Sequence, residues 1–355
     1  MAIFILIIGF LIAGCGSQLD NQAANAAPAE KGIVFTMANS QTGLLGSYDV
    51  EKDLLQLDLA PVHSDAIVRS FPESDVFLVV NRLGADNIQA VNKKTGVTSY
   101  QFSVGRGSNP QDIYLTKKGL WVSFLGEKSL KLFSGSVPVE SRSISLTNYA
   151  DQDGMAESTF FTWVGDFLWV PLQRLNSAQF LKADEKGKLV RFDSEGNQVS
   201  ALDLLGRNPV TPVKPFGGGL MALGSSGNYG GQRDTEAGIE LISSDFQSRG
   251  WAIQEETLGG DLTDFLVLNS ETGLAVVQSA KSKLVVFEPF TGKIKGTIAE
   301  QDAYDFRQLV RDGDSVYLAD HHRKNPRILI YNATTLELKK ELKLKLPAFH
   351  IEPIK

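Results

Sequence analysis

Four histidines are the side chains best suited to acid–base or metal chemistry: His63, His321, His322 and His350. His321 or His322 would bind a divalent cation together with Asp153 or Glu157, because imidazole and carboxylate groups are common ligands of such ions. Adjacent side chains of an extended segment point apart, so both histidines would not face one ion. The sequence contains no recognisable Ser–His–Asp arrangement and no zinc-type ligand spacing. Catalysis therefore finds little support in these residues.

A segment rich in glycine, asparagine and serine, residues 224–233, has the composition of a binding loop. Its candidate contact residues are Asn228, Tyr229 and Arg233. No strand-to-helix pattern surrounds the segment, so we do not interpret it as a phosphate-binding loop.

Cys15 is the only cysteine, so the chain can form no internal disulfide. It follows an apolar run, residues 2–13, which is too short to span a bilayer as a helix and is typical of an export signal. Signal peptides usually begin with a positive charge, whereas the first basic residue of this chain is Lys31. A plain signal peptide with an incidental cysteine is the alternative interpretation.

The residues Leu11-Ile12-Ala13-Gly14-Cys15 resemble the lipobox of bacterial lipoproteins. The resemblance implies that the thiol of Cys15 receives a diacylglyceryl group, that residues 1–14 are removed, and that the new amine is acylated, typically with palmitate. Gly16 stands where an aspartate would favour retention in the inner membrane, so the resemblance implies the outer membrane of a Gram-negative envelope. Residues 15–31 would then be the lipidated cysteine and a flexible tether, since they show no apolar periodicity.

From Gly32 onwards, short apolar runs alternate with Gly, Asn and Asp, which is the pattern of all-β structure with regularly spaced turns. A turn residue followed by an apolar strand recurs seven times, at intervals of 41 to 54 residues. These strands start at Gly32, Asp75, Gly119, Asp166, Gly219, Gly273 and Asp314. Other short strands bring the number to four in each unit, which is the arrangement of a β-propeller blade.

The two ends of the repeat are complementary. No strand precedes the first unit, and an extra segment at residues 347–351 parallels residues 110–113. We therefore predict a seven-bladed β-propeller over residues 32–355, in which the C-terminal strand completes the first blade. A β-sandwich or a β-helix would explain neither the seven units nor the leftover strand.

Residues 32–355 resemble the seven-bladed bacterial propellers of the YVTN and streptogramin-lyase-like group. The resemblance rests on the blade pattern and on the stretches Asn109-Pro110-Gln111-Asp112-Ile113 and Lys283-Leu284-Val285-Val286-Phe287. Streptogramin lyases use a histidine, a carboxylate and magnesium, and those positions have no residue-by-residue match in this sequence. The resemblance therefore implies a fold and leaves the function open.

Three loops are longer than their equivalents in other blades, at residues 148–157, 173–188 and 224–238. They belong to blades 3–5 and emerge on one face, so we predict a ligand or partner site in that sector. Polar side chains on matching loops would ring the mouth of the propeller with positive charge: Asn81, Arg82, Arg106, Arg174 and Arg323. Solvated surface arginines are the alternative for each one singly.

The 355-residue chain has 35 Lys+Arg against 41 Asp+Glu, a net charge of −6, which argues against nucleic acid as a partner. We interpret the protein as a lipid-anchored envelope module, a non-enzymatic binding or scaffolding propeller for an envelope protein or a small ligand, without a cofactor. Two alternatives stay open. One is a lyase or hydrolase that uses a divalent cation at the mouth, and the other is an assembly factor of the outer membrane.

Overall fold

The computed structural model describes residues 28–176, 182–228, 234–302 and 304–355. Within these ranges the chain forms seven antiparallel sheets of four strands each, which are the blades of a β-propeller. The one α-helix in these ranges, α1 (Glu255–Leu258), has four residues, and a single 3-10 turn covers Thr147–Tyr149. The all-β, seven-bladed fold predicted from the repeat is confirmed.

The strands are numbered in chain order, and the four strands of each blade follow one another from the centre of the ring outwards. Blade 1 contains β28 (Ala348–Pro353), β1 (Gly32–Ala38), β2 (Gly43–Asp49) and β3 (Leu54–Val62). Blade 2 contains β4 (Ala66–Ser70), β5 (Val76–Asn81), β6 (Asn87–Asn92) and β7 (Thr98–Ser103). Blade 3 contains β8 (Pro110–Thr116), β9 (Gly119–Phe124), β10 (Ser129–Ser134) and β11 (Val139–Ser145). Blade 4 contains β12 (Thr162–Val164), β13 (Phe167–Leu172), β14 (Lys186–Phe192) and β15 (Gln198–Arg207).

The remaining three blades have the same order. Blade 5 contains β16 (Lys214–Gly217), β17 (Leu220–Ser225), β18 (Gly238–Ser243) and β19 (Ser248–Gln254). Blade 6 contains β20 (Asp261–Asn269), β21 (Thr272–Gln278), β22 (Lys281–Phe287) and β23 (Ile294–Asp302). Blade 7 contains β24 (Phe306–Asp312), β25 (Ser315–Asp320), β26 (Arg327–Asn332) and β27 (Leu338–Lys343).

The apolar runs of the sequence fall on strands that neighbouring blades cover from both sides. All seven residues of β1 are buried, whereas six of the seven residues of the outer strand β11 are exposed. Val80 of blade 2 shares a core cluster with Val122 and Phe124 of blade 3. Burial on both sides explains why these strands are almost continuously apolar rather than alternating.

The strand β28 closes the ring. It pairs antiparallel with β1, so that Ile351 lies opposite Phe35 and His350 lies opposite Thr36. Ile351, Phe35 and Met37 belong to one buried cluster that also contains residues of blade 7. The predicted completion of the first blade by the C-terminal strand is therefore confirmed, and β1 is paired along both of its edges.

The two faces of the ring carry different connections. We call the upper face the one that holds the links between successive blades and the loops between second and third strands. Backbone hydrogen bonds join these two sets of loops, as from the Arg82 amide to the Asp65 carbonyl at 2.9 Å and from the Gln173 amide to the Glu157 carbonyl at 3.0 Å. The lower face carries the turns between first and second strands and between third and fourth strands.

The described chain starts on the lower face. The amide of Ala29, a buried residue, donates to Oγ of Ser47 at 3.3 Å, and the amide of Ile354 donates to the Gly32 carbonyl at 2.8 Å. The segment that precedes the propeller and the strand that closes it therefore meet on this face, at blade 1.

Side chains on and beside the inner strands join every pair of neighbouring blades around the central channel. Asp112 of blade 3 accepts a hydrogen bond from the Phe161 amide beside blade 4 at 2.9 Å, and Asp264 of blade 6 accepts one from the Leu309 amide of blade 7 at 2.8 Å. The other five junctions pair His350 with Val68, Arg69 with Asp112, Thr162 with Val213, Lys214 with Phe265 and Gln308 with Ile351. Polar contacts thus hold all seven junctions in addition to apolar packing.

Candidate functional site

The central channel forms a cavity of about 380 Å³ that is lined by the inner strands. Five basic side chains line it, namely Arg69, Arg82, Lys214, Arg307 and Lys355. Arg69 donates to both carboxylate oxygens of Asp112, at 2.7 and 2.8 Å, and to Glu352 at 3.1 Å. Lys214 pairs with Asp264. Arg69 and Lys214 therefore join blades to one another.

Arg82 lies at the upper mouth of the channel, as expected from the sequence, but its charge is matched there. Its Nε donates to Asp65 at 3.1 Å and its Nη1 to Gln111 at 3.1 Å. The guanidinium also lies 5.5 Å from the ring centroid of Phe349. Burial, together with the neighbouring Arg69 and Arg82, lowers the pKa of His350 well below its ordinary value, so this channel histidine is neutral at pH 7.

The lengthened loops of blades 3–5 meet on the upper face. Asn228 of blade 5 accepts a hydrogen bond from the Ala183 amide of blade 4 at 2.8 Å. Arg174 donates to the Lys186 carbonyl at 3.0 Å and pairs with Glu185. Two of the predicted contact residues, Arg174 and Asn228, therefore hold these loops in place. We call residues 146–161, 173–185 and 226–237 the upper sector, of which 177–181 and 229–233 lie outside the described residues.

The upper sector is acidic. Its described residues include seven carboxylates against two basic side chains, namely Asp151, Asp153, Glu157, Asp184, Glu185, Asp234 and Glu236 against Arg174 and Lys182. Burial raises the pKa of Glu157 to about 8 and that of Asp151 to about 6, and the neighbouring Asp153 contributes to both shifts. Oε2 of Glu157 accepts the Leu175 amide at 3.0 Å, which leaves the other oxygen to carry the proton.

Another buried acid, Glu255, lies beside the upper sector at the start of α1. Its Oε1 accepts the Leu262 amide at 2.6 Å, and its Oε2 has no hydrogen-bond partner among the described residues. Burial raises the pKa of Glu255 to about 9, and Asp261 and Asp234 add to the shift. At pH 7 this side of the propeller therefore holds protonated carboxyl groups.

The stability of the protein is expected to fall as the pH rises from about 5 to about 9. A carboxyl group whose folded pKa exceeds its unfolded pKa binds more protons in the folded state between the two values, so the free energy of unfolding decreases across that window. For Glu157 and Glu255 the window runs from 4.5 to about 8 and to about 9. One pKa unit corresponds to about 1.4 kcal/mol. We therefore expect ionisation of the two groups to lower the free energy of unfolding by at least about 3 kcal/mol between pH 5 and pH 9. Urea unfolding at pH 5, 7 and 9 measures this loss.

The substitution Glu255→Gln isolates one of the two groups, because glutamine resembles the protonated acid in shape and charge. It is expected to raise the free energy of unfolding at pH 9 by on the order of 1–2 kcal/mol or more, and to change it little at pH 5. Glu271→Gln, at an exposed turn of the lower face, is the matched control and should change neither value. Equal effects of the two substitutions at pH 9 would contradict the assignment.

The adjacent histidines face different neighbours. Nδ1 of His321 lies 3.0 Å from the Ala348 carbonyl, and the ring centroid lies 6.3 Å from that of Phe349. Burial lowers the pKa of His321, so a neutral ring contacts the closing strand. His322 instead faces blade 6, where one of its ring nitrogens and the carboxylates of Asp302 and Asp305 lie within 4.8 Å of one another. Among the described residues this is the one group of three possible metal ligands so closely spaced.

Backbone contacts position this group, which we call the Asp–Asp–His group. The Asp305 amide donates to the Asp302 carbonyl at 3.4 Å, which brings both carboxylates into one turn. Nδ1 of His322 accepts the amides of Lys324 and Asn325, both at 3.1 Å. A cation on Nδ1 would displace these amides, and a cation on Nε2 would move the ring proton onto Nδ1. Cation binding is therefore coupled to a rearrangement of this loop.

The other residues singled out from the sequence lie as follows. Asp153 and Glu157 are between blades 3 and 4, three blades away from the two histidines of blade 7. Arg106 and Arg323 are exposed on the upper face, and buried Asn81 donates to Asn87 and Gln89 of its own blade. Cys15, Tyr229 and Arg233 lie outside the described residues.

Sequence reasoning did not single out Asp302 and Asp305. Asp302 is the last residue of β23 and Asp305 lies in the connection that follows it, and nothing in their local pattern distinguishes them from ordinary turn residues. Asp112 and Asp264 were also missed as residues that bridge two blades. Both lie on inner strands, and each is followed directly by three apolar or aromatic residues. Aligning the inner strands of the repeats would have found them.

No family model and no curated protein matches the sequence. Solved structures, however, share its architecture. Apo AztD from Citrobacter koseri superposes with a TM-score of 0.56 at 13% identity, covering 91% of this chain and 97% of that chain. A 6-phosphogluconolactonase candidate from Bacteroides fragilis has a TM-score of 0.66 at 13% identity, with coverage of 91% and 97%. The shared property is the propeller fold.

A third similar structure shows how little the fold says about chemistry. The dihydro-heme d1 dehydrogenase NirN in complex with DHE has a TM-score of 0.55 at 13% identity, covering 92% of this chain and 66% of that chain. The three proteins carry three unrelated descriptions on one architecture, so function has to be argued from the residues of this chain. No helix in the described ranges is long and apolar enough to cross a membrane.

Proposed function

We propose that this protein is a lipid-anchored, non-enzymatic binding propeller of the bacterial cell envelope, and that its upper sector binds a positively charged segment of an envelope protein. The anchor is the lipid on Cys15, in the outer membrane. The polypeptide supplies a rigid ring, and the lengthened loops of blades 3–5 supply the contact surface.

The observation that carries the proposal is the separation of two features onto opposite faces. The segment that follows Cys15 reaches the propeller on the lower face, at Ala29. The lengthened loops lie on the upper face, where the hydrogen bond between Asn228 and Ala183 links two of them. A ring tethered from below presents these loops away from the membrane, where a partner can reach them.

The charge of the upper sector supports a basic partner. Its described residues carry seven carboxylates and two basic side chains. Of the two basic groups, Arg174 pairs with Glu185 and Lys182 pairs with Asp184 at 2.9 Å. Glu236 pairs with Arg207, and Glu157 is buried and protonated at pH 7. Asp151 and Asp234 are therefore the acids of the sector that would attract a positively charged surface, and complementary charge of this kind accelerates and orients association.

Charge reversal in the sector tests the binding proposal. Cells producing the double variant Asp151→Lys, Asp234→Lys are treated with a crosslinker, and the captured partners are compared with those of the wild type by mass spectrometry. We expect at least one wild-type partner to be lost. The double variant Asp166→Lys, Glu271→Lys makes the same charge change on exposed turns of the lower face and should retain that partner. An identical partner set for all three proteins would refute the proposal.

Intact-mass analysis tests the anchor separately. Protein made in a bacterial host with lipoprotein processing is expected to begin at Cys15 and to carry the mass of a diacylglyceryl group and an amide-linked acyl chain. Cys15→Ser should abolish the added mass and release the protein from the membrane fraction. A wild-type chain that begins at another residue, or that has an unmodified Cys15, would refute the anchor.

A cation-dependent function is the second candidate, and the Asp–Asp–His group favours it. Two carboxylates and an imidazole suit Zn²⁺ or Mn²⁺, with water completing the shell. Zn²⁺ added to protein stripped with EDTA is expected to raise the unfolding temperature by several degrees, since a ligand that binds only the folded state stabilises it. The variants His322→Ala and Asp305→Asn should lose the response, whereas Asp314→Asn, on the lower face, should keep it. An unchanged unfolding temperature for the wild type would exclude this candidate.

A further inference from the structure

The lower face concentrates exposed apolar side chains. Eleven large apolar residues of the described ranges are exposed, and eight of them lie in turns between third and fourth strands or at the first or second residue of a fourth strand. These eight are Val50, Leu54, Val97, Val137, Val139, Val199, Phe290 and Leu338. Only two, Leu83 and Tyr304, belong to upper-face loops, while Tyr100 lies within β7.

Six of these residues form an arc along blades 1–4, which we call the lower rim: Val50, Leu54, Val97, Val137, Val139 and Val199. The three most exposed are Val137 at 76%, Val97 at 63% and Val139 at 62%. Single exposed valines are ordinary on protein surfaces. Six exposed aliphatic residues at the rim of four successive blades, all on one face, are what a surface that contacts a membrane or a protein would present.

The chain outside the described residues leads to the same face. The Ala29 amide bonds to Ser47 and the Glu30 amide to Asp49, both at 3.3 Å, so residues 28–30 lie against the lower end of blade 1. Twelve residues, 16–27, lie between Cys15 and this contact, and an unstructured coil of that length has a root-mean-square span of about 20 Å. A lipid on Cys15 would therefore hold the lower rim within a few tens of ångströms of a bilayer, where even a weak contact forms because it is intramolecular.

We propose that the lower rim rests on the lipid surface and inserts its aliphatic side chains at the level of the headgroups. This inference rests on the lipid anchor of the proposed function and adds an orientation to it. The central axis of the ring then makes a large angle with the plane of the membrane, and the upper sector faces away from the membrane.

The charges beside the lower rim indicate that apolar contact, rather than attraction to anionic headgroups, holds it. Lysines and carboxylates are mixed in the lower turns, and several neutralise each other, such as Lys118 with Glu195 at 2.6 Å and Lys31 with Glu51 at 2.5 Å. We therefore expect docking on vesicles of phosphatidylcholine alone, with little dependence on salt.

The single cysteine makes the test direct. Acylation would occupy the thiol of Cys15, so a cysteine introduced elsewhere becomes the one free thiol of the mature protein. The full-chain variants Val137→Cys and Leu83→Cys carry an environment-sensitive nitrobenzoxadiazole label on the lower and upper faces, at side chains 76% and 66% exposed. After the mass of the acylated Cys15 is verified, each protein is inserted into phosphatidylcholine vesicles that contain lipids spin-labelled near the headgroup. We expect at least twofold quenching for Val137→Cys and little for Leu83→Cys.

A further variant separates docking from mere closeness to the bilayer. With the label on Val199→Cys, the triple substitution Val97→Ser, Val137→Ser, Val139→Ser is expected to halve the quenching or more, although it removes no core contact. Equal quenching at positions 137 and 83, or no loss in the triple variant, would overturn the docking inference and leave the anchor standing. An unacylated Cys15 would overturn both, and the mass spectrum reveals it before any vesicle is used.

Discussion

A chain that lacks β28 is expected to lose the folded ring altogether. This strand supplies the inner strand of blade 1, and its pairing with β1 holds Ile351 opposite Phe35 in the core. It also supplies the amide of Ile351 to Gln308 at 2.7 Å, which bridges blades 7 and 1. Without it, the buried strand β1 and a face of blade 7 become exposed. The free energy at stake exceeds the roughly 5–15 kcal/mol by which domains are stable.

The measurement uses a chain truncated after residue 346. We expect no cooperative transition in urea or heat, loss of the near-ultraviolet circular dichroism and aggregation on concentration. A synthetic peptide of residues 347–355 should restore the transition when added in excess, because its strand partner is still present. The same peptide with Ile351→Asp, which would bury a charge, should not. A truncated chain that unfolds cooperatively near the wild-type midpoint would contradict the role of β28 in closing the ring.

Arg69→Ala is expected to destabilise the protein by about 3–5 kcal/mol, the cost of breaking a buried ion pair from one side. Arg69 lies between Asp112, whose side chain is fully buried, and Glu352, which is 10% exposed. Burial by itself would lower the pKa of Arg69, but the two carboxylates raise it above its ordinary value. Removing the guanidinium leaves two negative charges in the channel and breaks the contact between blades 2 and 3.

Two comparisons make the Arg69 prediction specific. Arg249→Ala removes a surface ion pair with Asp245, in which the side chains are 51% and 62% exposed, and should change the free energy of unfolding by less than about 1 kcal/mol. Replacing the whole triad, by Arg69→Met, Asp112→Asn and Glu352→Gln, should cost less than Arg69→Ala alone, because no uncompensated charge remains. The free energies of unfolding in urea at pH 7 are compared for the wild type, Arg69→Ala, Arg249→Ala and the triple variant. A triple variant less stable than Arg69→Ala would show that the residues stabilise the ring chiefly through attraction.

The fold followed from the sequence because its determinants are local and repeated. A turn residue before an apolar strand, such as Gly119 before Leu120, marks the start of the same strand in each of the seven units. Gly119 adopts a φ of +138°, and a Cβ there would lie 2.3 Å from the Phe133 carbonyl oxygen, so the turn requires glycine. The role of the closing strand could also be predicted, because the first unit lacks an inner strand and the C-terminal segment is a strand left over after the seventh unit.

The chemistry of the loops did not follow, because it depends on contacts between different loops, which leave no mark on the local pattern of either one. Arg82 and Arg174 were expected to contribute positive charge at the mouth, but Asp65 and Glu185 lie against them. The first pair spans 17 residues and the second spans 11, and neither spacing has a periodic signature. Likewise, His322 meets Asp302 and Asp305 only because blades 6 and 7 are neighbours in the ring. Blade order was predictable, whereas the direction of each loop side chain was not.

The seam at blade 1 makes this propeller suitable for circular permutation. Because Ile354 donates to Gly32 at 2.8 Å, the two ends of the propeller are one strand spacing apart, and a short peptide would join them. The chain could then be reopened at a lower-face turn such as Gly218-Gly219, where a Cβ on Gly219 would meet no atom within 4 Å. The circularly permuted protein would have the same seven blades with its seam in blade 5. If this permuted protein folds, the position of the seam is set by where the coding sequence begins, and the ring does not require blade 1 to carry it.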